Sequence, residues 1–139
     1  MAEIIIPEDL KEKIYKKFKN ESTDVLKLLY SLKDNPKKGK ELTQVGGILI
    51  KEIRYNSFRF YFIVDGYKIK IMDDSELLNL LIKFIAMSDK KDQQETIERV
   101  KDFLRAIGKE ALKQSPSAIE SHRQNVSSAK VSFFLKEVR

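Results

Sequence analysis

Apolar residues recur every fourth position at Leu10, Ile14 and Phe18, and Lys11, Lys13, Lys16, Lys17 and Lys19 fill the surface between them. That spacing predicts an amphipathic helix, running to about Asn20, that buries one thin stripe. Before it, Glu3 to Ile6 is a short β-branched run closed by Pro7, which suits a first strand followed by a helix with proline at its first position. A second helix, capped by Ser22 or Thr23, carries Val25, Leu28, Leu29 and Leu32 on one face and stops before Asn35-Pro36. The two helices make a hairpin. Asn35 to Lys40, with proline, glycine and three lysines, reads as an exposed loop.

After Gly46-Gly47 the period shortens. Ile48 to Tyr55, Phe58 to Val64, Tyr67 to Met72 and Leu77 to Ile85 are rich in β-branched and aromatic residues, which predicts a four-stranded meander. A third helix is expected from about Ser88, with Ile97, Val100, Phe103, Leu104 and Ile107 at helical spacing and a stop at Gly108. Residues 109–139 begin polar and serine-rich, where disorder is expected, and close on Val131 to Val138, a further strand or an amphipathic segment.

Asp65-Gly66 between two apolar runs predicts a two-residue type I′ hairpin turn. In that register Val64, Phe62 and Phe60 face the core with Tyr67, Ile69 and Ile71, while Ile63, Tyr61 and Arg59 share the other face with Lys68, Lys70 and Met72. A second two-residue turn at Asn56-Ser57 sets Arg54 opposite Arg59, Glu52 opposite Tyr61 and Ile50 opposite Ile63, and a loop from Asp73 to Glu76 adds Asn79, Leu81 and Lys83. The polar face then gathers Glu52, Arg54, Arg59, Tyr61, Lys68, Lys70 and Lys83. Facing arginines repel, and an RNA phosphate would relieve that, since guanidinium groups bind phosphate bidentately and stabilise the extra charge of a pentacoordinate transition state. Tyr61 is then a base-stacking ring, a lysine the proton donor to the leaving oxygen, and Glu52 either a counter-charge or the base. An antiparallel sheet also wets one face as a matter of course, so the same alternation is met equally by a solvated surface. The same register sends Lys51 towards the core face opposite Phe62, so either it snorkels at the rim or the Asn56-Ser57 turn is longer.

Composition narrows the classes further. The 139 residues, 42% hydrophobic and 35% charged, suffice for one domain with an ordinary core. Lysine and arginine outnumber acids 27 to 21, a net +6 that favours a polyanion as partner. Cysteine is absent, which removes disulfides, thiolate metal sites and cysteine nucleophiles, and the single histidine, His122, lies in a polar stretch. No metal or cofactor is expected. The first nine residues are too short and acidic for a signal sequence, and the most apolar stretch, Leu77 to Ile85, is interrupted by Asn79 and Lys83, so a cytoplasmic protein without a membrane span is expected.

One ordered series remains: Asn35-Pro36 before Lys40-Glu41-Leu42, then Ile50-Lys51-Glu52-Ile53-Arg54, Ser57-Phe58-Arg59-Phe60-Tyr61-Phe62 with Asp65-Gly66, Leu80 to Phe84, and Gln94 to Leu104. This series resembles the RelE/ParE toxin superfamily, closest to its phage-derived HigB-like branch. The resemblance implies an α+β fold in which an N-terminal helix hairpin packs on a small antiparallel sheet, with a toxin domain over residues 1–107 and a C-terminal extension over 108–139. It also implies a toxin of a toxin–antitoxin system that cuts ribosome-bound mRNA without a metal and is held inactive by a cognate antitoxin protein. Arg54 and Arg59 match the family's sheet arginines, with Lys83, Tyr61 and Glu52 completing the candidate catalytic set. Lys51, Lys68, Lys70, Lys90 and Lys91 are the candidate RNA-binding residues. Where HigB-like members carry paired lysines after the last strand's phenylalanine, this chain has Ala86-Met87, with Lys90-Lys91 slightly later. No late arginine, tyrosine or histidine stands at the place of the RelE catalytic residue. Two alternatives therefore stay open, a ParE-like inhibitor of DNA gyrase or topoisomerase and a catalytically degenerate relative.

Overall fold

The structure, a computed structural model, describes residues 2–73, 77 and 80–113. Strand β1 (Glu3–Ile5) leads into helices α1 (Glu8–Phe18) and α2 (Ser22–Tyr30), which are joined by a single 3₁₀ turn. Strands β2 (Lys40–Val45), β3 (Ile48–Tyr55) and β4 (Phe58–Asp65) follow, then helix α3 (Gly66–Ile71), strand β5 (Leu81–Ser88), helix α4 (Gln93–Ile107) and the short helix α5 (Glu110–Lys113). The strands form one five-stranded sheet in the order β1-β5-β4-β3-β2. It is mixed and not purely antiparallel, because β1 runs parallel to β5 while every other pair is antiparallel.

The α1–α2 hairpin covers one face. Leu10, Ile14, Phe18, Val25, Leu29 and Leu32 pack there against Leu49, Ile53, Phe60, Phe62, Val64 and Phe84. Phe18 pins the end of α1 beneath the β3–β4 turn, with its ring centroid 5.1 Å from that of Phe58 and 5.6 Å from that of Tyr55. Neither Ser22 nor Thr23 caps α2. Ser22 is buried and its hydroxyl donates to the Ile14 carbonyl at 3.2 Å, tying the two helices together instead.

The opposite face is not open. Ile97, Val100, Phe103, Leu104 and Ile107 of α4, with Ala111 of α5, cover Ile48, Ile50, Tyr61, Ile63 and Ile85, so the sheet is clad by helices on both sides. An apolar stripe of that width on α4 needs an apolar surface to bury against, and this face supplies it.

The expected strand Tyr67–Met72 is helix α3. Asp65 does not turn a hairpin: it caps that helix, its Oδ1 accepting from the backbone N–H groups of Tyr67 and Lys68 at 3.0 and 3.1 Å. Gly66 is needed for close approach and not for a left-handed turn. Its N–H donates to the Gly47 carbonyl at 2.9 Å, and a Cβ there would lie 2.9 Å from the same oxygen. The turn with two left-handed residues stands instead at Gly46 (φ 55°) and Gly47 (φ 84°), joining β3 to β2, a strand that begins where the expected Asn35 to Lys40 loop ends and that the apolar pattern does not announce. Strand β5 begins later than expected and extends to Ser88, so α4 starts at Gln93. The expected strand at Val131 to Val138 and the serine-rich stretch with His122 lie outside the described residues, as does Asn79. Among the described residues no helix is long and apolar enough to cross a membrane.

Replacing Asp65 by alanine removes the cap of α3 and should cost about 1 kcal/mol, most of it retained by Asp65→Asn. Gly66→Ala, which drives a methyl into a backbone carbonyl, should cost about 1–3 kcal/mol. Urea denaturation of the two variants checks both.

Candidate functional site

The β3–β4 hairpin has the register that its two-residue turn requires. Asn56 takes the left-handed conformation (φ 54°), and Arg54 pairs with Arg59, Glu52 with Tyr61 and Ile50 with Ile63. Strand β5 adds Ser88 opposite Arg59, Ala86 opposite Tyr61 and, beyond a bulge, Lys83 opposite Ile63. Strand β2 adds Lys40 opposite Glu52. Cross-strand rows thus change from apolar to ionic towards the Asn56 turn.

At the ionic end Glu52 is the hub. Its carboxylate is diagonal to Arg59 and two residues before Arg54 on the same face, with Oε1 3.5 Å from Arg54 Nη2 and Oε2 3.6 Å from Arg59 Nε. The Glu52 side chain is 1% exposed, Arg59 7% and Arg54 51%. Among the described residues, neither carboxylate oxygen nor Arg59 Nε has a hydrogen-bond partner, so the carboxylate is held by charge alone. Arg59 is further anchored through Nη1, which donates to the Ser57 carbonyl at 3.2 Å. One carboxylate faces two guanidinium groups, which leaves an uncompensated positive charge where Arg54 meets solvent.

The remaining candidates are dispersed. Tyr61 is fully enclosed, its hydroxyl 2.7 Å from the Ser88 hydroxyl, so its ring offers no face for a base. Burial, and secondarily the Glu52 charge, push its phenol above the ordinary value, against the hydrogen bond shared with Ser88 and the two arginines, which keeps it a neutral donor or acceptor. Lys83 is buried two residues along the face from Tyr61's row, and its Nζ donates to the Ala111 carbonyl at 3.3 Å. Burial pushes its ammonium down to about 8.

Lys51 points to the other face. The turn is the short one, and the side chain runs buried past Phe62, with Nζ 5.8 Å from the ring centroid and donating to the Lys37 carbonyl at 2.9 Å. Burial lowers its pKa and the cross-strand Glu41 partly restores it. Lys68 and Lys70 are not on the sheet at all. Both are exposed on α3, where Lys70 Nζ lies 3.3 Å from Gln44 Oε1. Lys90 and Lys91 are exposed in the turn between β5 and α4.

Two participants were not foreseen from the sequence, Lys40 and Ser88. Lys40 lies on a polar edge strand without a β-branched run to announce it. Ser88 falls where the sequence pattern predicts the start of the third helix, because the apolar run ends at Ile85 while β5 continues for three more residues.

Among the described residues no group of three His, Cys, Asp or Glu side chains is placed to hold a metal ion. The chain matches no protein-family model, and comparison with curated proteins and with solved structures returned no match.

The two arginines should differ sharply in what they contribute to stability. Arg59→Ala strands the buried Glu52 carboxylate and should cost about 3 kcal/mol or more, whereas the half-exposed Arg54→Ala should cost under about 1 kcal/mol. Chemical denaturation of both variants measures the contrast. Lys83 makes a pH-dependent contribution. Its folded-state value lies below the ordinary 10.5, so the burial penalty acts in full below about pH 8 and fades between pH 8 and 10.5. Lys83→Met should therefore be more stable than the parent at pH 7, on the order of 2 kcal/mol after allowance for partial screening, with the advantage shrinking above pH 8. Thermal melts across pH 6.5–10 would show it.

Proposed function

We propose that this protein is a toxin of the RelE/ParE type that engages ribosome-bound mRNA and cuts it without a metal, with Arg54 as its exposed phosphate contact. The observation that carries the reading is the pair of cross-strand arginines sharing the single buried carboxylate of Glu52, which leaves the Arg54 guanidinium half in solvent. A phosphodiester oxygen is the natural counter-charge for a guanidinium in that position. The order of glutamate-x-arginine, phenylalanine-arginine and the following strand and helix in the resemblance supports the same reading. In it, the 2′-hydroxyl gives its proton to water as its oxygen bonds to the adjacent phosphorus, the arginines stabilise the added negative charge, and the P–O5′ bond breaks to leave a 2′,3′-cyclic phosphate and a 5′-oxygen that takes a proton from water. An antitoxin that presents acidic side chains to the Arg54 surface would silence it.

The enclosure of Tyr61, Lys83 and Glu52 favours a second reading, a ParE-like protein that blocks gyrase by binding and needs no proton transfer. Induced expression separates the two. The nuclease reading expects growth arrest with cleaved messages, and Arg54→Ala should relieve toxicity by about tenfold or more. Intact messages during arrest, with gyrase supercoiling lost on addition of the purified protein, would transfer the conclusion to the second reading.

A further inference from the structure

We infer that Glu52 gates the RNA site: its carboxylate holds Arg54 in the free protein and competes with the incoming phosphate for that guanidinium. The inference rests on the RNA-binding reading above and concerns how that site is controlled.

Both of Glu52's contacts are ionic approaches without a hydrogen bond, at 3.5 Å to Arg54 and 3.6 Å to Arg59. Only one of the two arginines is free to leave. Arg59 is almost wholly enclosed and carries a second tie to the Ser57 carbonyl, so its departure would strand a buried carboxylate. Arg54 is half exposed and has no other partner among the described residues. A phosphate arriving from solvent therefore meets a guanidinium that can rotate off Glu52, while Glu52 and Arg59 remain as a neutral buried pair. The geometry makes Glu52 an opponent of RNA binding and not a contributor to it. Its charge lowers the potential at Arg54, and its contact with Arg54 must be exchanged for the contact with phosphate.

A structural role and a gating role predict opposite signs. If Glu52 only supports the fold, Glu52→Gln weakens RNA binding. If it gates, Glu52→Gln frees Arg54 and tightens binding despite a lower melting temperature.

The test uses the full chain and a fluorescein-labelled single-stranded RNA dodecamer, with affinity followed by anisotropy over a series of KCl concentrations. Four forms are compared: the parent, Glu52→Gln, Arg54→Ala and the double variant. Binding by Glu52→Gln should be about threefold tighter or more. The slope of log affinity against log salt should steepen by about 0.7, as for one further phosphate neutralised on a single strand. The gain should vanish in the Arg54→Ala background. Should Glu52→Gln not fold, Glu52→Asp, which keeps the charge but draws the carboxylate back from Arg54, should tighten binding about twofold. Parent protein that binds RNA through Arg54 but is unchanged or weakened by both Glu52 substitutions overturns the gate and leaves the RNA-binding reading standing. A gain that persists without Arg54 also overturns it, since the carboxylate would then act as a general repulsive charge. Absence of RNA binding by every form removes the RNA-binding reading and the gate together.

Discussion

A carboxylate with almost no contact with water sits between two guanidinium groups, and hairpin geometry decides that it must. The short Asn56-Ser57 turn sets the parity of β3 against β4, and parity puts Glu52, Arg54 and Arg59 on one face within a single diagonal. Two positive charges directly across a strand pair repel, and burial of one of them would be costly without a counter-charge. Glu52 supplies that charge at the cost of its own desolvation, so the pair Glu52–Arg59 is stable only as a unit. Arg54, beside the same carboxylate but open to solvent, inherits what charge is left over.

The rest of the sheet accommodates this unit. Over β3 and β4 one face is apolar apart from Lys51, whose ammonium escapes to the Lys37 carbonyl at the edge. The other face grades along the strands, from Ile50 and Ile63 under α4 and α5, through Tyr61 bonded to Ser88, to the ionic end at the turn. A tyrosine suits that border because its ring packs with the apolar rows while its hydroxyl finds a polar partner. The helical cover keeps most of the chemistry-bearing side chains from solvent and leaves Arg54 as the point where the buried network meets water.

Lys83 shows how position on the face changes meaning. In the row of Ile63 it has an apolar setting and a helix carbonyl for its only described hydrogen bond, so its charge is penalised. A row or two nearer the turn, the same side chain would have joined the ionic cluster. The bulge in the β4–β5 pairing between Tyr61 and Phe62 contributes to this offset.

The amino-acid pattern alone determined what depends on near neighbours. Helices α1, α2 and α4 follow from apolar spacing, and the pairing of Arg54 with Arg59 follows from a turn of two residues between two strong β runs. The tertiary structure decided what depends on distant contacts. Tyr67 to Ile71 alternates well enough for a strand, yet it coils because Asp65 caps it and Gly66 docks on the carbonyl of Gly47, a contact across nineteen positions that no local period encodes. Strand β2, polar and at the edge, exists because β3 offers it a ladder. Whether the arginine face would be wet or covered was also a question of what packs where. The apolar stripe of α4 carried that information, since so many buried side chains on one helix demand a surface, but only the assembled chain shows that the demand is met over Ile50, Tyr61 and Ile63.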